Sequence, residues 1–166
     1  SPVSLALTSP FPGQIVQRID RATGVIPVAG TLAGGVAEGD VIEVRLDGGG
    51  ENAAWQPAVW LNDDQSTFRA RIEAAPGRYD AVRVRVRRGP EALAESEVAP
   101  VGVGEIFVIA GQSNAANHGE IRQRSRAEFV RVFTGTEWVP AEDPIAGATG
   151  DGGSFIPPFA DAVADH

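Results

Sequence analysis

The sequence predicts a β-sandwich followed by the opening part of an α/β unit, and three observations support this fold class. Short segments that alternate apolar and polar residues recur up to about Pro100, separated by clusters of Gly, Pro and Asp. Beyond Pro100 the pattern changes to a continuous apolar run that ends at Gly111, which is typical of a strand buried on both faces. With 43% hydrophobic and 22% charged residues, the 166-residue chain has the composition of a globular protein. We therefore place a sandwich domain at residues 1–100 and a second domain at residues 101–166.

The first domain contains about seven candidate strands at a spacing of roughly 8–12 residues, as expected of a two-sheet sandwich of the immunoglobulin or fibronectin type. Alternation is strict from Val82 to Arg87, which places valines on one face and arginines on the other. We interpret the arginine face as solvated and as part of an edge strand that discourages aggregation. The candidate strands are SLALTS, GQIVQRID, GVIPVAGTL, DVIEVRLDG, TFRARIEA, YDAVRVRVRR and ALAESEVAP.

Two tryptophans and several acidic residues of the first domain allow a functional alternative. For Trp55 and Trp60 we expect one ring in the core and the other at an edge, with a sugar-stacking platform as the alternative. Asp47, Asp63 and Asp64 could bind calcium, but their spacing does not resemble a calcium-binding loop. Solvated acids in turns are the favoured interpretation, and no metal site is predicted.

The second domain follows a different order of elements. A buried strand is predicted in VGVGEIFVIAG, then a helix-compatible stretch from Ser113 to Glu128. The segment FVRVFTGTEWVPA indicates two short strands around a turn at Gly135, and Pro157 and Pro158 indicate the start of an amphipathic helix. A three-layer α/β domain needs several strand–helix units, so we expect residues 101–166 to be the N-terminal part of a truncated domain.

Composition excludes several classes of partner. The chain has 14 Lys and Arg against 22 Asp and Glu, a formal charge of −8, which disfavours binding to nucleic acid. No cysteine is present, so disulfides, thiolate metal sites and thiol nucleophiles are excluded. No apolar run approaches the roughly 20 residues of a membrane helix. The start SPVSLALTSP without methionine would fit removal of a secretory signal, and we expect a secreted or periplasmic protein.

Ser113 in the segment EIFVIAGQSNAANHGE is the most informative residue for chemistry. A strand, a glycine turn and a serine at the start of a helix would bring the serine N–H and the helix dipole to an oxyanion. The same local geometry fits a serine that only caps a helix. Local pattern alone therefore leaves a nucleophile and a cap as alternatives.

The motif Gly111-Gln112-Ser113-Asn114 resembles the first block of the SGNH/GDSL hydrolases, especially the carbohydrate esterases that include sialate O-acetylesterases. The resemblance continues in ATGDGGSFIPPFADAV, which is similar to a Gly-Ser-(aromatic)-Trp-Pro segment of that branch, with Ile156 in place of the usual Trp. The segments upstream are similar to the β-sandwich that often precedes such a domain. The two specific blocks are short, although the resemblance touches most of the chain.

This resemblance implies a serine esterase that removes O-acetyl groups from a carbohydrate and needs no metal or organic cofactor. Ser113 would be the nucleophile, and its N–H would stabilise the oxyanion together with the N–H of Gly153, or alternatively of Gly152. The family elements on either side of the serine, Gln112 and Asn114, would shape the elbow and lie against the substrate. In the following polar loop, Asn117 and His118 are further candidates for substrate contacts.

The general base of the family, an Asp-x-x-His motif, has no counterpart in the sequence. Asp161 and Asp165 do not have the required spacing to His166, which we interpret as a helix end. His118 follows Ser113 by five residues and would point away from it on a helix, unless the segment is a loop. We therefore expect the base beyond residue 166 or on another chain that supplies the rest of the domain, and little activity from these residues alone. The alternative is a non-catalytic carbohydrate-binding or structural β-sandwich module.

Overall fold

The computed structural model describes residues 1–50 and 53–166, and it is mostly β-sheet with one short α-helix. The described chain forms two compact units, Ser1–Glu105 (unit 1) and Ile106–His166 (unit 2). Unit 1 is β-sandwich-like, as the alternating segments predict. The sequence places the change of pattern at Pro100, whereas the contacts divide the chain after Glu105.

Unit 1 contains two four-stranded antiparallel sheets and one three-stranded sheet. The first sheet has the strand order β1 (Ser4–Ser9), β3 (Gly24–Ala33), β7 (Thr67–Ala74) and β6 (Val59–Trp60). The second has the order β10 (Glu91–Val98), β9 (Ala81–Arg88), β4 (Val41–Asp47) and β5 (Gln56–Pro57). The third has the order β2 (Ile15–Gln17), β11 (Val101–Gly104) and β8 (Gly77–Tyr79), with β2 parallel to β11.

The core of unit 1 lies between the two larger sheets and confirms the period-two pattern. Val82, Val84 and Val86 on β9 are fully buried. They belong to the same cluster as Ile26 on β3 and Phe68 on β7, which are also 0% exposed. Alternation along a strand places every second side chain on this face, so the sequence pattern builds the core directly.

The opposite face of β9 carries the arginines, and here the prediction of an edge strand is wrong. Strand β9 pairs with β10 on one side and β4 on the other. Arg85 and Arg87 donate to the carboxylate of Glu43 on β4, at 2.8 and 2.9 Å. The hydrogen bond from Arg87, and after it the one from Arg85, lowers the pKa of Glu43 to about 2. Desolvation of this half-buried carboxylate acts in the opposite direction but is outweighed. The arginine stripe is therefore a cross-strand ion-pair ladder on an inner strand.

The two tryptophans occupy different environments. Trp60 is half-buried and packs against the core cluster. Trp55 is also half-buried, and the guanidinium carbons of Arg45 and Arg85 lie 4.7 and 4.0 Å from its ring centroid. Such cation–π contacts stabilise the ring on the outer face of the sheet and cover part of the surface that a sugar would need.

The acidic residues considered for calcium have other partners. Asp47 accepts hydrogen bonds from Arg45 at 2.7 Å and Arg83 at 2.6 Å, and Asp64 accepts one from the Ser66 N–H at 3.0 Å. Glu51 and Asn52 of the GGGEN segment lie outside the described residues. Across residues 1–50 and 53–166, no group of three or more His, Asp or Glu side chains could hold a metal ion.

Unit 2 departs from the predicted start of an α/β domain. The predicted buried strand ends with β11 at Gly104, and Ile106, Phe107 and Val108 are 42, 51 and 94% exposed. Sheet pairing in the described part of unit 2 is confined to a two-stranded hairpin and isolated bridges. Within these described residues, the apolar run therefore has no neighbouring strand to bury it. The described part of unit 2 contains a hairpin and one α-helix, and no sheet with helices on both faces.

Between residues 113 and 128 the predicted helix is wrong. Only Ser113–Ala115 form a short 3₁₀ turn, and the rest of the segment is loop. The loop carries Gly119, whose N–H and C=O pair with Gly153 and so cannot take part in a helix. Backbone bonds to a distant segment replace the hydrogen bonds that a helix would make.

Two other predictions for unit 2 are confirmed. Strands β12 (Arg131–Phe133) and β13 (Trp138–Pro140) form an antiparallel hairpin. Its turn contains Gly135 at φ 103°, a conformation that glycine adopts easily. Helix α1 (Ile156–Ala164) begins with the two prolines in its first turn. No helix within the described ranges is long and apolar enough to cross a membrane.

Candidate active site around Ser113

Ser113 lies at a sharp change of backbone direction. Gln112 is extended, with φ −133° and ψ 179°, and Ser113 adopts φ 53°, in the left-handed region. A residue with a Cβ atom is strained there, by roughly 1–2 kcal/mol. The Ser113 carbonyl accepts hydrogen bonds from the N–H groups of Ala116 at 2.8 Å and His118 at 3.1 Å, which close the turn. The exposed serine is thus displayed on a tight, internally bonded loop.

A cavity of about 790 Å³ opens beside this turn. Its polar lining side chains are Gln112, Ser113, His118 and Thr149, and the remaining lining residues are apolar or glycine. Within the described part of the chain, the Ser113 hydroxyl and N–H make no hydrogen bond. The cavity therefore contains a hydroxyl nucleophile candidate and one backbone donor, both available to a ligand.

His118 lies at the same cavity because the segment is a loop and not a helix. Its ring Nε2 is 3.4 Å from the Thr149 hydroxyl oxygen, and the side chain is exposed. The helical separation expected between Ser113 and His118 does not apply to this conformation. No carboxylate is among the described residues that line the cavity, so the chain here has no acid beside the histidine.

Asn117 was predicted to contact substrate, and the structure places it in the interior. It is 1% exposed and adopts φ 62°. Its Nδ2 donates to the Ile145 carbonyl at 2.8 Å, and its Oδ1 accepts from the Ile145 N–H at 2.8 Å. The substrate-contact prediction is wrong for this residue, because both ends of the amide are already bound to backbone.

The predicted oxyanion donors also have other partners. The N–H of Gly153 donates to the Gly119 carbonyl at 2.8 Å, and that of Gly152 donates to the Asn117 carbonyl at 2.7 Å. Neither group is available to a bound oxyanion, so Gly153 and its alternative Gly152 are corrected to structural roles. A Cβ atom on Gly153 would lie 1.8 Å from the Ile121 carbonyl oxygen. Close approach of two backbone segments is the reason for glycine here.

The residues that flank the serine differ in position. Gln112 lines the cavity beside Ser113. Asn114 is exposed but is not among the lining residues, and its carbonyl accepts from the Phe155 N–H at 3.1 Å. The Asn114 backbone thus links the serine turn to the segment that leads into α1.

Two buried carboxylates organise unit 2, and sequence reasoning missed their role. Asp143 is 6% exposed and accepts from the Ser154 hydroxyl at 2.6 Å and from the N–H groups of Ser154 and Gln123, both at 2.9 Å. On α1, Asp161 accepts from the Ser125 hydroxyl at 2.5 Å. A buried acid with several N–H and hydroxyl donors anchors loops where apolar contacts are few.

Asp161 was considered as a partner for a catalytic histidine, and its carboxylate has a different function. The bond from Ser125, then those from the N–H groups of Ala127 and Arg126, lower the pKa of Asp161 to about 2. His166 is exposed beyond the end of α1, and its N–H donates to the Val163 carbonyl at 3.3 Å. The Asp161 carboxylate therefore binds the loop at residues 125–127.

No protein-family model matches the chain, and no curated protein matches it in a sequence search.

Proposed function

We propose that this chain carries the nucleophile of an SGNH/GDSL-type serine hydrolase, a carbohydrate O-acetylesterase of the sialate or xylan type. The observation that carries the proposal is the geometry of Ser113, with its left-handed backbone, exposed hydroxyl and unbound N–H at a cavity of about 790 Å³. Strained backbone at a displayed nucleophile is a recurrent feature of hydrolytic sites. The reaction class is inferred from the resemblance of the GQSN motif to the first block of the SGNH/GDSL hydrolases.

The reaction begins when Ser113 Oγ attacks the ester carbonyl carbon and passes its proton to a base. The Ser113 N–H donates to the oxyanion that forms. Collapse expels the sugar oxygen, which takes a proton from the base, and leaves an acetyl group on Ser113. Water, deprotonated by the same base, then attacks the acetyl group and releases acetate, and Ser113 Oγ takes the proton back. Neither a metal nor an organic cofactor takes part.

The base is an Asp–His pair from residues that follow position 166 or from another polypeptide that completes the domain. This arrangement would also give the apolar run around Phe107 and Val108 the parallel strands that such sequences pair with. In this proposal the chain is an immunoglobulin-like sandwich followed by the first part of a three-layer hydrolase domain. It acts in a secreted or periplasmic setting.

Gln112 and His118 are the substrate contacts in this proposal, because both line the cavity beside Ser113. Replacing His118 with Ala should raise KM several-fold and leave kcat within about threefold. The reason is that the lost contact would stabilise the bound substrate and the transition state equally. If kcat falls by orders of magnitude with little change in KM, His118 is itself the base.

The experiment that tests the function is acetate release from O-acetylated sialic acid and xylo-oligosaccharides by the full gene product. Ser113→Ala should lower kcat/KM by at least about 10³-fold. Ser4→Ala is the matched control, because Ser4 is an exposed serine of unit 1, and it should retain activity. Full activity of Ser113→Ala would reject the nucleophile.

A non-catalytic glycan-binding or structural module is the second candidate function. The absence of a carboxylate among the described lining residues favours it. In that case the full gene product would bind glycan without hydrolysis. Trp55→Ala would weaken binding if the sandwich carries it, whereas Ser113→Ala would not.

A further inference from the structure

We propose that Asn117 is a positioning residue that fixes the Ser113 turn against the segment 145–153 and so sets the geometry of the cavity. This inference rests on the proposed function for the role of Ser113. It assigns to Asn117 a task that neither the GQSN motif nor its resemblance includes.

The side chain of Asn117 makes a paired contact with one backbone unit. Nδ2 donates to the Ile145 carbonyl and Oδ1 accepts from the Ile145 N–H, each at 2.8 Å. The pair copies the two hydrogen bonds of an antiparallel bridge, although one partner is a side chain. Ile145 is itself buried, at 7% exposure, so neither of its backbone groups can exchange this partner for water.

Backbone hydrogen bonds also join the Ser113 turn to the segment 145–153, and we call this set of contacts the junction. The Gly150 N–H donates to the Ala116 carbonyl at 2.9 Å, and the Gly152 N–H donates to the Asn117 carbonyl at 2.7 Å. A Cβ atom on Gly150 would lie 2.3 Å from the Asn117 carbonyl oxygen. The two segments are therefore in backbone contact, with Asn117 at the centre.

The junction acts on Ser113 through the turn between them. The carbonyl of Ser113 holds the N–H groups of Ala116 and His118, one residue to either side of Asn117. Asn117 points inward while His118 is exposed at the cavity. Fixing Asn117 thus fixes the positions of Ser113 and His118. It also fixes Thr149, which lies in the segment 145–153 and lines the same cavity.

The chemistry of the contact explains why an amide is needed. The position requires one donor and one acceptor at the same time, and asparagine tolerates its left-handed φ of 62° better than most residues. An ionised aspartate keeps the acceptor but directs a negative oxygen at the Ile145 carbonyl. A protonated aspartate restores a donor, so an Asn117→Asp variant is sensitive to pH.

The experiment compares Asn117→Asp with Asn62→Asp in the full gene product. Asn62 is an exposed residue of unit 1 that does not line the cavity, so the control carries the same charge change. Near neutral pH, Asn117→Asp should lower kcat by roughly tenfold or more with a smaller change in KM. The ratio of its kcat to that of the wild type should rise as pH falls, because the aspartate becomes protonated. A pH-independent ratio, or equal behaviour of the two variants, would overturn the proposal.

Amide hydrogen exchange of the wild-type protein gives a test that needs neither activity nor a folded variant. The N–H groups of Ile145, Gly150 and Gly152 should exchange together at one protected rate, because one junction holds them. Exchange of Ile145 at the rate of an exposed loop, with Gly150 and Gly152 still protected, would contradict the junction. If the wild-type protein shows no Ser113-dependent hydrolysis but these three amides are protected together, the proposed function is rejected and the positioning of the turn is still supported.

Discussion

Unit 1 and unit 2 are stabilised by different interactions. Among the described residues, every buried aliphatic or aromatic side chain lies in unit 1 except Ala141, Ile145 and Pro157. Buried polar and charged residues show the reverse distribution, since all but Asp40 lie in unit 2. The first unit is therefore built by apolar burial between sheets, and the second by side chains that bind the backbone of distant loops. Apolar burial tolerates adjustment, whereas each hydrogen bond in unit 2 depends on one donor and one acceptor.

The largest effect is expected from the core of unit 1. Phe68 is 0% exposed within the main cluster, so Phe68→Ala should lower the free energy of unfolding by about 3–5 kcal/mol. Chemical denaturation would measure this loss. Phe133→Ala is the control, because Phe133 is 47% exposed in unit 2. Equal losses in the two variants would contradict the greater dependence of unit 1 on apolar burial.

A smaller and local effect is expected from the acid that anchors α1. Asp161→Ala removes the acceptor of Ser125 and of the N–H groups of Arg126 and Ala127. Exchange of those two amides should accelerate by roughly tenfold, with unit 1 unchanged. Asp165→Ala serves as the control, because Asp165 is an exposed acid at the end of the same helix. Unchanged exchange at Arg126 and Ala127 would show that unit 2 does not depend on this acid.

Ser113→Gly should separate function from stability. Glycine relieves the left-handed strain at φ 53° but adds freedom to the unfolded chain, so a net gain of about 0.5–1 kcal/mol is expected. The same variant should lose esterase activity. Thermal unfolding and acetate release would be measured together, and a destabilised variant would contradict the strained geometry.

The smallest effect is the pH dependence of the ion-pair ladder in unit 1. The pKa of Glu43 is lowered from 4.5 to about 2, so its contribution is present above pH 4.5 and is lost as pH falls towards 2. Glu43→Gln should remove this acid dependence and cost about 0.2–1 kcal/mol at neutral pH. Glu97→Gln is the control, because Glu97 is half exposed beside Arg83. The same acid profile in wild type and Glu43→Gln would contradict the assignment.

The difference between the units also explains which features could be predicted from sequence. Alternation from Val82 to Val86 predicts a strand face because side-chain direction repeats every second residue. Gly135 and Pro157 act locally, so the hairpin and the start of α1 are predictable as well. The pattern could not show that β9 is an inner strand, because pairing partners lie far along the chain.

The candidate site was predictable only in part. Ser113, Gln112 and His118 line one cavity, and the sequence singled out all three. Asn117 and Gly153 were assigned to substrate and oxyanion, but their groups bind backbone instead. The bonds of Asn117 and Asp161 span 28 and 35 residues, and no periodic pattern encodes such contacts. The strand predicted before Gly111 fails because burial requires neighbours that a linear pattern cannot supply.

In the proposed mechanism, Ser113 becomes acylated during ester hydrolysis. The most direct measurement is peptide mass spectrometry of the full gene product, quenched in acid during turnover of an O-acetylated sugar. One added acetyl group is expected on the peptide that contains Ser113, and none on the same peptide of Ser113→Ala. Turnover with no acetyl group on that peptide, or with the acetyl group on another residue, would contradict it.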